Sequence, residues 1–393
     1  MRSPQPATVL LGRIQLEQQR LNKVHEAVPS EGLAGALLDQ LAGDRIRALL
    51  TDAQQELKKL ARDVTRSGVT SPRLTTMANL QTATDRVLSE YLALALGAMA
   101  RAANADLGAC DEADRFIQEL AGRIDRRFAR PTVPGDHEHL HRAADVVRRR
   151  VPDHGLWDLP VMAHEFGHVV VSGLQAYDAV HDTIRRPVEP WLQRFTGPQR
   201  QQATELFCDV FATYALGPSY PCTLVLHRLD PTASAVAEQT RTHPGDASRV
   251  YACLWTLRKM QDGQKGPYSR FLGRLSAAWQ ALQDGAEQRA RVDKQAERAL
   301  ISDLSACWVT LEKNLGSVRY EWSASVRDLV GVLEGGKTVP DSGDYSSADV
   351  LNAAWFVRLD AWSSGSHLRD ECEQDARSLL QAAWERQRSG DAR

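Results

Sequence analysis

The chain has no C-x-x-C pair. Its six cysteines, Cys110, Cys208, Cys222, Cys253, Cys307 and Cys372, stand far apart, which excludes a thiolate zinc cluster and a dense disulfide framework and predicts reduced, mostly buried thiols. It also has no long apolar run. The longest, Tyr91 to Ala100, is closed by Glu90 and Arg101 and is about half of what a bilayer span requires, so no membrane span is expected. Nor is there an excess of positive charge: Lys+Arg 48 against Asp+Glu 50 leaves −2, too little to displace phosphate counterions, and no nucleic-acid partner is expected. Lysine is scarce (8 of the 48 basic residues), a skew that points to base composition more than to function. The opening Met-Arg-Ser-Pro-Gln-Pro is not followed by a secretory apolar region, so a cytoplasmic location is expected.

What is present is an ordinary globular composition, 43% hydrophobic and 25% charged over 393 residues, enough for two or three cores. From Val9 to about Asp125 the pattern is helical. Its clearest stretch is Ile46, Leu50, Ala53, Leu57, Leu60 and Val64, whose alternating steps of four and three make one narrow apolar stripe that must pack on another helix. This region, 1–130, reads as a helical bundle serving stability or partner docking. The tract Arg130 to Asp136, with Pro131, Pro134 and Gly135, breaks helix and marks a boundary. Val146 to Val151, with β-branched ends and Pro152 behind, predicts a short edge strand. A helix follows from Pro160 to about Ala176. A second is bounded by Thr196 and Pro198 at its head and Gly217-Pro218 at its tail, and a third runs from Pro244 to about Met260. The last region, 263–393, is helical from Tyr268 onward with an interruption at 335–347.

The strongest chemical signal is His164-Glu165-Phe166-Gly167-His168. Two histidines four apart lie on one helix face, where both imidazoles can reach a single metal ion. Glu165 projects about 100° from His164, beside the water that the metal would activate and in position to act as base. On the next helix Glu205 and Asp209 stand one turn apart among Leu206, Phe207, Val210 and Phe211. Glutamate is the third ligand of a His₂Glu catalytic site, and an acid one turn on can accept the spare N–H of a ligating imidazole; the plainer alternative is a salt-bridging pair. The metzincin arrangement fails, because Val171 and Leu174 stand where it needs Gly and His. His243, in Thr242-His243-Pro244, is placed either to stabilise the oxyanion of a tetrahedral intermediate or simply to cap the helix that carries Arg249.

With these three motifs in this order, His164 to His168, Glu205 to Asp209, and His243 to Arg249, the chain resembles the gluzincin metallopeptidases of the HtpX and CAAX prenyl protease type over roughly residues 145 to 262. Those proteins are usually membrane-embedded, whereas this chain lacks a span, so a soluble relative with new helical flanks fits better. The resemblance implies Zn2+ held by His164, His168 and Glu205, Glu165 as general base, His243 on the oxyanion, Asp209 orienting a ligating imidazole, and Arg249 buttressing its helix or binding substrate. The expected architecture is mainly α, with a zincin-like core and small edge sheet at 131–262 between the two helical regions. The expected activity is hydrolysis of protein or peptide substrates, with a protein partner possible through the helical flanks. Two alternatives stay open: a non-catalytic zinc-stabilised scaffold, and an effector protease kept latent by its flanks. Two further patterns are weaker. Gly331 to Thr338 has phosphate-loop spacing but follows a helical pattern, and His137, His139 and His141 alternate just before the expected edge strand, where they could make a second metal site but read more simply as a polar loop.

Overall fold

The computed structural model describes residues 6–27, 44–135, 139–141, 146–150, 155–173, 187–229, 244–261, 266–284, 294–335, 345–364, 368–369 and 371–391, apart from some side chains within them. It is mainly helical with one three-stranded sheet, and among the described residues no helix is long and apolar enough to cross a membrane. The chain divides into two units: 1–110 with 131–152, and 111–130 with 153–393. These boundaries follow packing, and they differ from the three-part division drawn from motifs.

The first unit holds α1 (Pro6–Ala27), α2 (Asp44–Ser67) and α3 (Ser71–Ala102). The stripe on α2 is where it was expected: Leu57, Leu60 and Val64 are buried with Leu10, Ile14 and Leu21 of α1 and Met77, Leu94 and Ala98 of α3. The side chains of Ile46 and Leu50 lie outside the described residues. The expected boundary tract begins where the chain passes from one unit to the other, at 130/131, but it contains a strand, β1 (Thr132–Gly135), and the expected edge strand, β3 (Val146–Arg150), is central. It pairs parallel with β1 on one side and antiparallel with β2 (His139–His141) on the other. The residue chemistry accounts for both corrections. Thr132 and Val133 favour extended backbone, and Pro134 is tolerated because β1 is an edge. β3 is buried over Val146 to Arg149, as suits a central strand. A Cβ on Gly97 of α3 would sit 2.6 Å from the Pro134 carbonyl oxygen, so only glycine lets the helix lie this close to β1. His139 and His141 stand in β2 and not in the polar loop expected of them, and the side chains of the three alternating histidines lie outside the described residues.

The second unit contains α4 (Ala109–Gly122, which begins in the first), α5 (Val161–Ser172), α6 (Glu189–Leu192), α7 (Gly197–Leu216), α8 (Ser219–Thr223), α9 (Asp246–Met260), α10 (Tyr268–Asp284), α11 (Lys294–Leu315), α12 (Ser325–Leu333), α13 (Ser347–Ser364) and α14 (Cys372–Asp391). Helix α7 packs against both α5 and α9. The sequence placed its ends within a residue. Thr196 is extended before the first turn, and the helix stops at Gly217, whose φ of +66° suits glycine. The Gly331 string begins inside α12 and Gly335 ends that helix at φ +79°, so a helix precedes it, not the strand a phosphate loop needs.

Helix α13 runs through the interior, and Asn352 in its second turn, fully buried, ties down the turn between α7 and α8. Its Oδ1 accepts from the Ser219 N–H at 2.8 Å, while its Nδ2 donates to the Leu216 carbonyl at 2.7 Å. Asn352→Ala would strand the Ser219 N–H away from water and leave the Leu216 carbonyl only the Ser219 hydroxyl at 3.3 Å, so a loss of about 1 to 3 kcal/mol is expected. Denaturant unfolding measures it, and a change under about 0.5 kcal/mol would show that the turn holds itself.

Candidate metal centre

Helix α5 is apolar nearly all round. Met162, Ala163, Phe166, Val169 and Val170 are buried, so the two histidines and Glu165 are polar groups taken into an interior where each needs a partner. His164 and His168 share a face, their ring centroids 5.1 Å apart. Opposite them, α7 presents Glu205. Its Oε2 lies 3.2 Å from His164 Nε2 and its Oε1 3.5 Å from His168 Nε2. Glu165, on the same helix, is 5% exposed.

The helices meet closely because of Gly167. A Cβ there would lie 3.1 Å from both the Cα and the Sγ of Cys208. Gly167→Ala should therefore press α5 against α7 at a cost of about 1 to 3 kcal/mol, offset by the roughly 1 kcal/mol that alanine gains over glycine inside a helix, for a net loss of up to about 2 kcal/mol. A melting temperature above that of the unmodified chain would show that the contact gives way freely.

One turn beyond Glu205, Asp209 is fully buried and fully engaged. Its Oδ1 faces His164 Nδ1 at 2.9 Å and accepts from the Tyr220 hydroxyl at 2.5 Å and from Arg249 Nη2 at 2.8 Å; its Oδ2 accepts from Arg249 Nε at 2.7 Å. Arg249 reaches in from the first turn of α9. Tyr220, on α8, also lies 3.1 Å from His164 Nδ1 and stacks on that ring at 6.1 Å between centroids. Burial alone would raise the Asp209 carboxyl, but the Arg249 guanidinium and the His164 ring hold it well below the usual carboxylate range. Being ionised, it can only accept, so Nδ1 of His164 carries the proton and Nε2 faces Glu205.

That arrangement calls for positive charge between Nε2 and the carboxylate. Without a metal the charge is a proton: burial disfavours the imidazolium, yet the hydrogen bonds to Asp209 and Glu205 outweigh it and push the His164 pKa up to about 10. Burial likewise opposes ionisation of Glu205, and its contacts with His164 and His168 hold it well below the ordinary value. A metal cation fits the same place. Four donors about 2.0–2.1 Å from one ion stand roughly 3.3 Å apart in tetrahedral geometry, close to the 3.2 and 3.5 Å seen here.

Of the residues singled out in the sequence, the structure brings together His164, Glu165, His168, Glu205, Asp209 and Arg249. His243 lies outside the described residues, which resume at Pro244. Sequence reasoning missed two members. Cys208 is three residues after Glu205, a spacing that puts both on the face of α7 toward α5, and this signal was readable. Tyr220 follows a glycine-ended helix and a Pro218 turn, and no spacing rule leads to it. Compared with protein-family models, curated sequences and solved structures, the chain shows no significant match.

Proposed function

We propose that this chain is a zinc-dependent metallopeptidase of gluzincin type, with a zincin-like core formed around α5, α7 and α9. One observation carries the reading: two imidazole Nε2 atoms from one helix converge on the Glu205 carboxylate from another, with the far nitrogen of His164 held by a buried acid. His164, His168 and Glu205 would hold the ion. Zinc, when bound, supplies a Lewis acid that lowers the pKa of water towards about 7 and polarises the scissile carbonyl. Glu165 takes the proton from the attacking water and later passes it to the leaving amine. Asp209 keeps the proton on His164 Nδ1, which leaves Nε2 as the donor, and Arg249 neutralises that buried acid. The substrate class is protein or peptide, and six free buried cysteines accord with a reducing, cytoplasmic setting.

The test is metal content. One zinc per purified chain is expected, with its affinity in a chelator competition lowered by at least about ten-fold in His164→Ala, His168→Ala and Glu205→Ala. Unchanged zinc affinity in all three variants would sink the assignment. A scaffold reading, in which the metal only joins helices, draws on the 5% exposure of both His164 and Glu165. It predicts zinc-dependent stability without hydrolysis of any peptide library.

A further inference from the structure

Among the described residues, one group of histidine, cysteine and acidic side chains has donor atoms clustered as a metal site requires: His164, His168 and Cys208, with all three ligand atoms within 4.8 Å of one another. The proposed function uses the two histidines with Glu205, which is not a member of that group, and leaves the thiol out. For three atoms so spaced some point lies within about 2.8 Å of all of them, against about 2.0–2.1 Å for a zinc–nitrogen and about 2.3 Å for a zinc–sulfur bond. Shifts of well under 1 Å would bring all three onto one ion. Cys208 is fully buried between the two helices, held against Gly167, so solvent does not compete for its sulfur. It also shares the α5-facing side of α7 with Glu205.

We propose that Cys208 is a fourth protein donor to the ion held by His164, His168 and Glu205, so that the resting centre is closed by the protein. This rests on the zinc reading above and adds its regulation. On coordination the S–H bond breaks, the sulfur–metal bond forms and the proton leaves to solvent, one for each ion bound. Four protein ligands are the mark of structural zinc, whereas hydrolytic sites keep one position open. The centre is thus latent: water gains access to the ion only when Sγ is released. A thiolate donor also selects zinc or cobalt over magnesium, calcium and manganese.

Cobalt(II) titration of the full chain, stripped of zinc by a chelator, tests this without relying on activity. One cobalt per chain is expected, with a sulfur-to-cobalt charge-transfer band in the near ultraviolet. Cys208→Ser should lose the band yet still bind cobalt through the other three donors, and its zinc affinity should fall by at least the roughly ten-fold that removal of an outer hydrogen-bonding partner costs. Cys208→Ala serves if serine at this buried position prevents folding, and a band that persists when each of the other five cysteines is replaced by serine assigns it to this thiol. Cobalt bound without the band, or a band that survives in the Cys208 variants, would overturn the fourth-donor role and leave the three-ligand reading standing. No cobalt or zinc bound under any condition would overturn both.

Discussion

Glu165→Gln is expected to lower kcat for peptide hydrolysis by about 10²- to 10⁴-fold, the usual contribution of a positioned general base, while zinc content and melting temperature stay at the level of the unmodified chain. The carboxylate is adjacent in sequence to His164 and 5% exposed, so it is held by the packing of α5 and not by solvent. An amide of the same shape keeps that packing but has no lone pair basic enough to accept the proton of water. Since Glu165 is not among the proposed ligands, the metal should remain. Measuring kcat, zinc and melting temperature on one preparation separates the roles: turnover equal to that of the unmodified chain removes Glu165 as base, and loss of zinc makes it a ligand.

Asp209→Ala should have the largest effect on stability of any single change at the centre. The carboxylate pairs with Arg249 through two hydrogen bonds and also receives Tyr220 and His164, and Arg249 is itself largely buried, its side chain 15% exposed. Removing one member of a buried pair leaves the other charge without compensation, which costs about 3 to 5 kcal/mol. Zinc affinity should fall about 10- to 100-fold as well, because the His164 tautomer is no longer imposed. A double variant, Asp209→Ala with Arg249→Met, separates these consequences. With both charges gone, stability should recover much of the loss, while zinc affinity stays low. If zinc affinity returns along with stability, Asp209 acts only through the fold.

The sequence alone was enough for the helices of the centre, because their signals are local. Residues four apart share a helix face whatever the tertiary structure, so the His164–His168 pair and the Glu205–Asp209 pair could be read directly. Proline and glycine at helix ends act through their own φ angles, which is why α7 was bounded within a residue. The stripe on α2 identified a buried face for the same reason. Strand order was not legible: the edge or central position of β3 depends on which strands come alongside, and its β-branched residues are compatible with both.

What decided the rest was contact between segments distant in the chain. That Gly167 is the point where two helices touch depends on Cys208, forty-one positions later. That Tyr220 closes on Asp209 depends on a turn held by Asn352, more than a hundred and thirty residues on. The sequence by itself determined which groups lie on which helix face, since backbone geometry sets a period that every residue obeys. Only the tertiary structure decided which faces meet, because burial rewards any apolar contact alike, and the choice among them is made by close packing and by the partner that each buried polar group must find.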